Sequence, residues 1–280
     1  LNPSLCLLSR GERTRPLVMG ILNRTPDSFS DGGRFEALDR ALAQAERLAE
    51  EGADLIDVGG ESTRPGAQPL STEEELRRVQ PLVEHLSRRL SVPLSIDTYK
   101  APVAQAAIDA GARLINDISG LRFDPQMAPL IARSGVALCA MHLSGQSPES
   151  IHAPLVAQDP LERVIADLKE TLHLALLAGI ERERVVLDPG IGFGKDLAQN
   201  LAILRGIGRL RRELDTPILI GASRKRFVGE LTHRAVDQRR DADAAVAAIL
   251  TLRGVDILRV HDVRAAVDAI AIAEALATET

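Results

Sequence analysis

Cysteine is nearly absent: Cys6 and Cys139 are the only two in 280 residues, with no metal-type spacing between them. That usage excludes a disulfide framework and fits a reducing compartment, with both thiols expected to be plain core or surface residues. Long apolar runs are missing as well. None approaches the ~20 residues needed to cross a bilayer, and the apolar part of LNPSLCLLSRG is too short for a signal peptide, so a cytoplasmic protein without a membrane partner is expected. There is no basic excess either. With 34 Lys and Arg against 39 Asp and Glu, the net charge is −5, which speaks against nucleic acid as a partner and makes any anion site a local one. HExxH and Cys/His clusters are lacking, so zinc is not expected, and His85 and His173 fall within helical patterns as ordinary packing or solvent residues. No Ser/Gly-rich linker or low-complexity tract interrupts the chain after Leu17, so residues 17–277 are read as one domain behind an N-terminal extension at 1–16.

What the chain does have is a repeated unit. Hydrophobic residues make up 45% of it, enough for a real core, and they fall into short continuous runs alternating with helical stripes. Five times a helical pattern ends at a glycine and an apolar strand then runs into polar residues: Gly52 to Asp57, Gly111 to Asp117, Gly135 to His142, Gly179 to Asp188 and Gly254 to Asp262. Glycine there suits a left-handed helix cap. Strands over Leu17–Leu22, 93–97 and 217–221 bring the total to eight. Between them lie stripes such as Phe35, Leu38, Leu42, Ala45, Ala49 and Leu161, Val164, Ile165, Leu168, Leu172. Eight strand–helix units predict an α/β fold, a single-domain (β/α)8 TIM barrel, with a doubly wound open sheet as the alternative. The last helical segment, Ala265 to Ala277, is apolar on more than one face, which hints at a partner subunit.

In such a barrel the chemistry gathers at the C-terminal ends of the strands. The residues there are Asn23, then 57–64, Asp97, Asn116 and Asp117, Met141 and His142, 188–195, Ser223 to Lys225, and Arg259 to Asp262. Any one of them is explained by the preference of turns and caps for Asp, Asn, Ser and Gly. The convergence of Asp97, Asp188, Lys225, Arg259 and His261 on one rim is explained less well that way. Two long polar loops, Arg24 to Arg34 and Gly59 to Gln68, read as mobile covers, although an inert solvated loop is the commoner case. Cations concentrate after strands seven and eight, where barrels often hold phosphate, so a phosphorylated substrate is expected. GIGFGK at 190–195 has neither Walker nor GxGxxG spacing and is not a nucleotide loop. A hard cation such as Mg²⁺ needs only one side-chain oxygen beside substrate phosphates, and Asn23 offers one.

Seven segments, MGILNRTPDSFSDGG, DVGGESTRPGA, SIDTYKA, INDISG, LDPGIGFGK, GASRKRF and RVHDV, stand in order over about residues 17 to 275, and together they resemble the dihydropteroate synthases. The resemblance implies a (β/α)8 enzyme of folate biosynthesis, usually a cytoplasmic homodimer, that joins (7,8-dihydropterin-6-yl)methyl diphosphate to 4-aminobenzoate with Mg²⁺. It implies that Asn23 binds the metal and that Asp97, Asn116, Asp188 and Lys225 hold the pterin. Arg259 would stack on the ring, and Thr63, Val260 and His261 would serve the pterin and diphosphate. Phe29, Thr63, Arg64, Pro65, Phe193 and Ser223 would line the 4-aminobenzoate pocket. Thr25, Ser28, Asp31 and Arg64 would belong to the covering loops, and Asp97, Lys225, Arg259 and His261 would carry the reaction. One departure is Arg24, where the family usually has Val. An inactive pterin-binding homologue and a pterin-dependent methyltransferase domain are the alternative functions.

Overall fold

The computed structural model describes residues 15–23, 34–64 and 66–277. Arg24, Thr25, Ser28, Phe29, Asp31 and Pro65, the 1–16 extension up to residue 14, and hence Cys6, lie outside the described residues. Among those described, eight strands alternate with helices. They are β1 (Leu17–Asn23), β2 (Leu55–Gly59), β3 (Leu94–Asp97), β4 (Leu114–Asp117), β5 (Ala137–Met141), β6 (Val185–Asp188), β7 (Leu219–Ile220) and β8 (Ile257–Val260). Every pairing is parallel, in the order β6-β5-β4-β3-β2-β1-β8-β7. A single bridge between Leu187 and Ile218 closes the ring, so the open-sheet alternative falls away.

The helices are α1 (Arg34–Glu50), α2 (Thr72–Arg89), α3 (Ala101–Asp109), α4 (Met127–Ser134), α5 (Pro160–Leu177), α6 (Leu197–Arg205), α7 (Ile207–Leu214), α8 (Arg226–Thr232), α9 (Arg240–Leu252) and α10 (Val263–Ala277). The expected rhythm of one helix per strand is doubled after β6 and β7. Gly206 separates α6 from α7, and a Cβ there would lie 2.3 Å from Leu161 Cδ2 of α5, so a larger residue would have to push that side chain aside. All five glycines that end a helical pattern before a strand have positive φ, from 74° at Gly135 to 113° at Gly111, as a left-handed cap requires. Strand β7 is shorter than the expected 217–221 because the Ile218 N–H is taken by the Asp256 carboxylate at 2.9 Å, and the Ile218 carbonyl accepts from both Asp256 and Ile257.

Strand residues alternate between two environments. Outward side chains such as Val18, Val58, Ile96, Leu138 and Leu258 pack with the helix stripes in one continuous core, where Leu42, Val164, Ile165 and Leu168 are buried as their spacing predicts. Inward side chains Met19, Leu55, Leu114, Ala137, Cys139, Val186, Leu219 and Ile257 plug the lower barrel. The Cys139 thiol is fully buried there, and burial pushes its pKa well up, which leaves it an unreactive core residue. Above that apolar plug the inward positions change character. Asp57, Ser95, Asp97, Asn116, Asp188 and Arg259 follow, and the register that sets Asp57 beside Ser95 and Asp97 beside Asn116 places them in adjacent strands of one throat. A slip of one residue would turn each of them into the helix layer.

Candidate active site

The throat is organised around a carboxylate. Asp57 is fully buried and accepts from Ser95 Oγ at 2.5 Å, Asn116 Nδ2 at 3.0 Å and Arg259 Nε at 2.6 Å. Arg259 reaches on through Nη2 to Asp97 Oδ2 at 2.7 Å. Burial works against the guanidinium charge, but Asp57 and Asp97 outweigh it and raise the arginine's pKa. Asp97 itself is pushed up to about 7, chiefly by burial; Arg259 pulls the other way and the Asp57 charge adds to the rise. The sequence reading takes Asp57 only as the start of the 57–64 rim stretch and gives it no role, although a carboxylate inside the apolar run of a barrel strand, two residues before Gly59, is a signal that alternation alone exposes.

Asp188 ends β6, buried, with Oδ1 accepting from the Gly190 N–H at 2.7 Å. Burial raises its pKa, while the Gly190 N–H and the charges of Lys225, Lys195 and Arg259 oppose the rise. Lys225 stands just before α8. Its pKa falls to about 8 through burial and the like charge of Arg259, against the pull of Asp188 and Asp97. Its Nζ lies 4.1 Å from the centre of the Phe193 ring. Asp97, Asp188, Lys225 and Arg259 therefore feel one another electrostatically, and Asn116 is hydrogen-bonded into the same network.

A cationic corner adjoins this network. Ser223 donates to Asp243 Oδ2 at 3.0 Å, so its oxygen accepts from His261, through the main-chain N–H at 3.3 Å and Nδ1 at 3.1 Å. The His261 pKa drops to about 3, first through burial and then through the positive charges of Arg224, Arg259, Lys225 and Arg64. The imidazole is thus neutral, in a field that favours an incoming anion. Asn23, Gly59, Thr63, Arg64, Asp97 and Arg259 share the wall of a cavity of about 60 Å³ at the mouth. Glycine at 59 keeps it open: a Cβ would stand 3.0 Å from Asn23 Oδ1.

Three rim residues behave differently from the sequence reading. Val260 turns outward into the helix layer, as alternation from Arg259 demands, and presents only its main chain to the mouth. Lys195 is a loop staple, with Nζ donating to the carbonyls of Gly190 at 2.9 Å and Phe193 at 3.2 Å. His142 faces away, its Nε2 3.0 Å from Asp167 of α5, on a separate cleft of about 460 Å³ that also includes Arg122, Ser144, Arg163 and Glu170. That cleft is the larger cavity, but its two arginines are balanced by two acids, and Arg163 is already paired with Asp167 at 2.8 Å. The unbalanced, compressed charge is at the barrel mouth, and we place the candidate site there.

Residues 19–261 match the family model described as pterin binding enzyme. The chain belongs to that family. Among pterin-binding relatives, it is 44% identical over 257 residues to a dihydropteroate synthase of Bacillus subtilis, covering 92% of this chain and 86% of the relative. It is 40% identical to one of Escherichia coli over 94% of this chain and 92% of that one. A solved dihydropteroate synthase of Xanthomonas albilineans with 4-aminobenzoic acid superposes with a TM-score of 0.88 at 45% identity, over 95% of this chain and 94% of that one. Another structure from the same organism holds 7,8-dihydropteroate, with a TM-score of 0.84, 42% identity and 95% coverage of both chains.

The network predicts an energetic asymmetry. Asp57→Ala, which leaves buried Arg259 half-paired and strips Ser95 and Asn116 of an acceptor, should lower unfolding stability by about 3–5 kcal/mol. Asp237→Ala, on the surface after α8, should change it by less than about 0.5 kcal/mol. Urea denaturation of the two variants is the check.

Proposed function

We propose that this chain is a dihydropteroate synthase, condensing (7,8-dihydropterin-6-yl)methyl diphosphate with 4-aminobenzoate to give 7,8-dihydropteroate and diphosphate. The observation that carries the reading is the pairing, in one barrel mouth, of a buried acceptor set with a cationic corner. The 2-amino-4-oxo edge of a pterin presents N–H donors beside a carbonyl acceptor. Asp188 and the Asn116 oxygen, whose amide nitrogen is committed to Asp57, are matching acceptors, and the Lys225 ammonium is the matching donor. Arg259 supplies a flat cation to lie against the ring. The diphosphate falls to the corner formed by His261 with Arg64, Arg224 and Lys225. Burial first, and then the four cations, hold His261 neutral; an anion there would offset the cations and favour protonation of the imidazole.

The reaction breaks the bond between the pterin methylene carbon and the diphosphate oxygen, and the electron pair leaves with diphosphate. The methylene–pterin cation so formed would be stabilised by the ionised Asp97 carboxylate, while His261 and the cations around it offset negative charge on the departing group. The 4-aminobenzoate nitrogen then donates its lone pair to the methylene carbon and loses a proton to water or to the released diphosphate. Thr63, Arg64, Phe193 and Ser223, with Phe29 and Pro65, would form the arylamine side; Thr25, Ser28 and Asp31 would belong to the cover.

Asn23 fits a Mg²⁺ site of the kind that borrows its remaining ligands from substrate. Gly59 leaves its oxygen uncovered: a Cβ there would stand 3.0 Å from Asn23 Oδ1 and 3.9 Å from Asp97 Oδ2. When bound, Mg²⁺ would supply positive charge to the leaving diphosphate. A cytoplasmic homodimer completes the proposal. Ile249 and Leu252 of α9 and Ile272 and Leu276 of α10 leave more than half of their surface exposed on two helices packed side by side, a patch suited to a second copy.

Pure protein given pterin diphosphate, labelled 4-aminobenzoate and Mg²⁺ should form dihydropteroate; binding without turnover would mark an inactive homologue. Activity should rise with pH through about 7 as Asp97 loses its proton and fall through about 8 as Lys225 loses its own, and Asp97→Asn should abolish the acidic limb while lowering turnover far more than pterin affinity. Asn23→Ala should raise the Mg²⁺ concentration for half-maximal rate by roughly tenfold, one oxygen ligand being lost. Light scattering should return twice the 30.1 kDa chain mass.

A further inference from the structure

The loop that leaves β2 is anchored at its neck by a single carboxylate. Glu61 accepts from Tyr99 Oη at 2.9 Å, Lys100 Nζ at 2.5 Å and the Leu70 N–H at 2.9 Å, so both ends of the 61–70 stretch hang on it. The loop's Thr63 is held from a different strand connection. His152, between β5 and α5, donates Nε2–H to the Thr63 carbonyl at 2.8 Å. The same imidazole lies parallel to the Phe193 ring, with centroids 5.5 Å apart and planes within 2°. Phe193 is the ring that carries Lys225. The segment bearing His152 is itself fastened to the β6 loop. The Leu155 N–H donates to the Gly194 carbonyl at 2.7 Å, Gln199 Nε2 to the Leu155 carbonyl at 2.9 Å, and a Cβ on Gly194 would stand 2.0 Å from the Ala153 carbonyl. Loops from β2, β5 and β6 thus meet on one imidazole.

We infer that His152 is a positioning residue for the arylamine substrate, clamping Thr63 and Phe193 as two walls of one pocket. This rests on the reading of the chain as a dihydropteroate synthase with 4-aminobenzoate held between those walls. His152 acts through Thr63 and Phe193, while Asn116 is fixed by Asp57 and Asp188 by the Gly190 N–H; of the pterin set only Lys225, over the Phe193 ring, touches the clamp. Loss of His152 is therefore felt chiefly by the arylamine. Both properties of the side chain are used: a phenyl ring would stack without donating, and a carboxamide would donate without stacking.

The test is steady-state kinetics of dihydropteroate formation for the wild type and for His152→Ala, His152→Phe and His152→Gln, varying each substrate in turn, with a melting curve for every variant. His152→Ala should raise the KM for 4-aminobenzoate by about tenfold, the combined effect of one hydrogen bond and one ring contact. It should raise the KM for pterin diphosphate by no more than about twofold and leave kcat within about twofold. Phe and Gln should each recover part of the loss, to about threefold above wild type. An unchanged KM for 4-aminobenzoate in His152→Ala overturns the inference. So does a loss shared equally by both substrates, or one that tracks melting temperature across the three variants. A wild-type protein that forms no dihydropteroate while binding pterin diphosphate overturns the functional reading itself, and the clamp with it.

Discussion

Within the upper barrel a guanidinium is held between two carboxylates, with Nε of Arg259 on Asp57 and Nη2 on Asp97. Taking three ions out of water is costly, and such an arrangement persists only when geometry and further hydrogen bonds satisfy it. Here Ser95 and Asn116 supply those bonds to Asp57, so each of strands β2, β3, β4 and β8 contributes a side chain to the same cluster. The apolar plug beneath excludes water from below and the helix layer excludes it from the sides. The result is a fixed, charged floor opening toward the ends of the strands.

The floor polarises everything above it. Asp97 has its pKa raised and Lys225 has its pKa lowered by the same burial, which brings an acid and a base toward neutrality from opposite directions. Around His261 the charges are one-sided, with four cations acting on a neutral imidazole. A ligand that is cationic at one end during reaction and anionic at the other would match both regions. The larger cleft beside α5 lacks this character because its arginines and acids already neutralise one another. Cavity size and chemical readiness point to different places on this molecule, and the charges decide between them.

Much of this was readable in the chain itself. The glycine before each of five strands announced a left-handed cap, and the polar residue after each apolar run announced the rim, because a parallel barrel imposes both. Seven family-like segments added the substrate class. What period-two reading at the strand ends did not separate was facing direction: Val260 stands next to Arg259 in sequence but on the opposite side of the barrel wall. Pairings across the barrel were hidden as well. Asp57 and Arg259 lie 202 residues apart, and the Thr63–His152 contact joins residues 89 apart, so only closure of the ring brings them together. His142 looked equivalent to His261 by position, yet Asp167 on α5 draws it to another face. The doubling of helices after β6 and β7 was not resolved by helical spacing alone; after β6 the break falls at Gly206, which packs against Leu161 of α5.

A crystal structure of the protein soaked with the pterin diphosphate tests the central claim most directly. The account predicts the heterocycle within hydrogen-bond reach of Asn116, Asp188 and Lys225, with Arg259 still held by Asp57 and the phosphates beside His261. A ring seated instead in the cleft formed by His142, Arg122 and α5, or phosphates remote from His261, would contradict it.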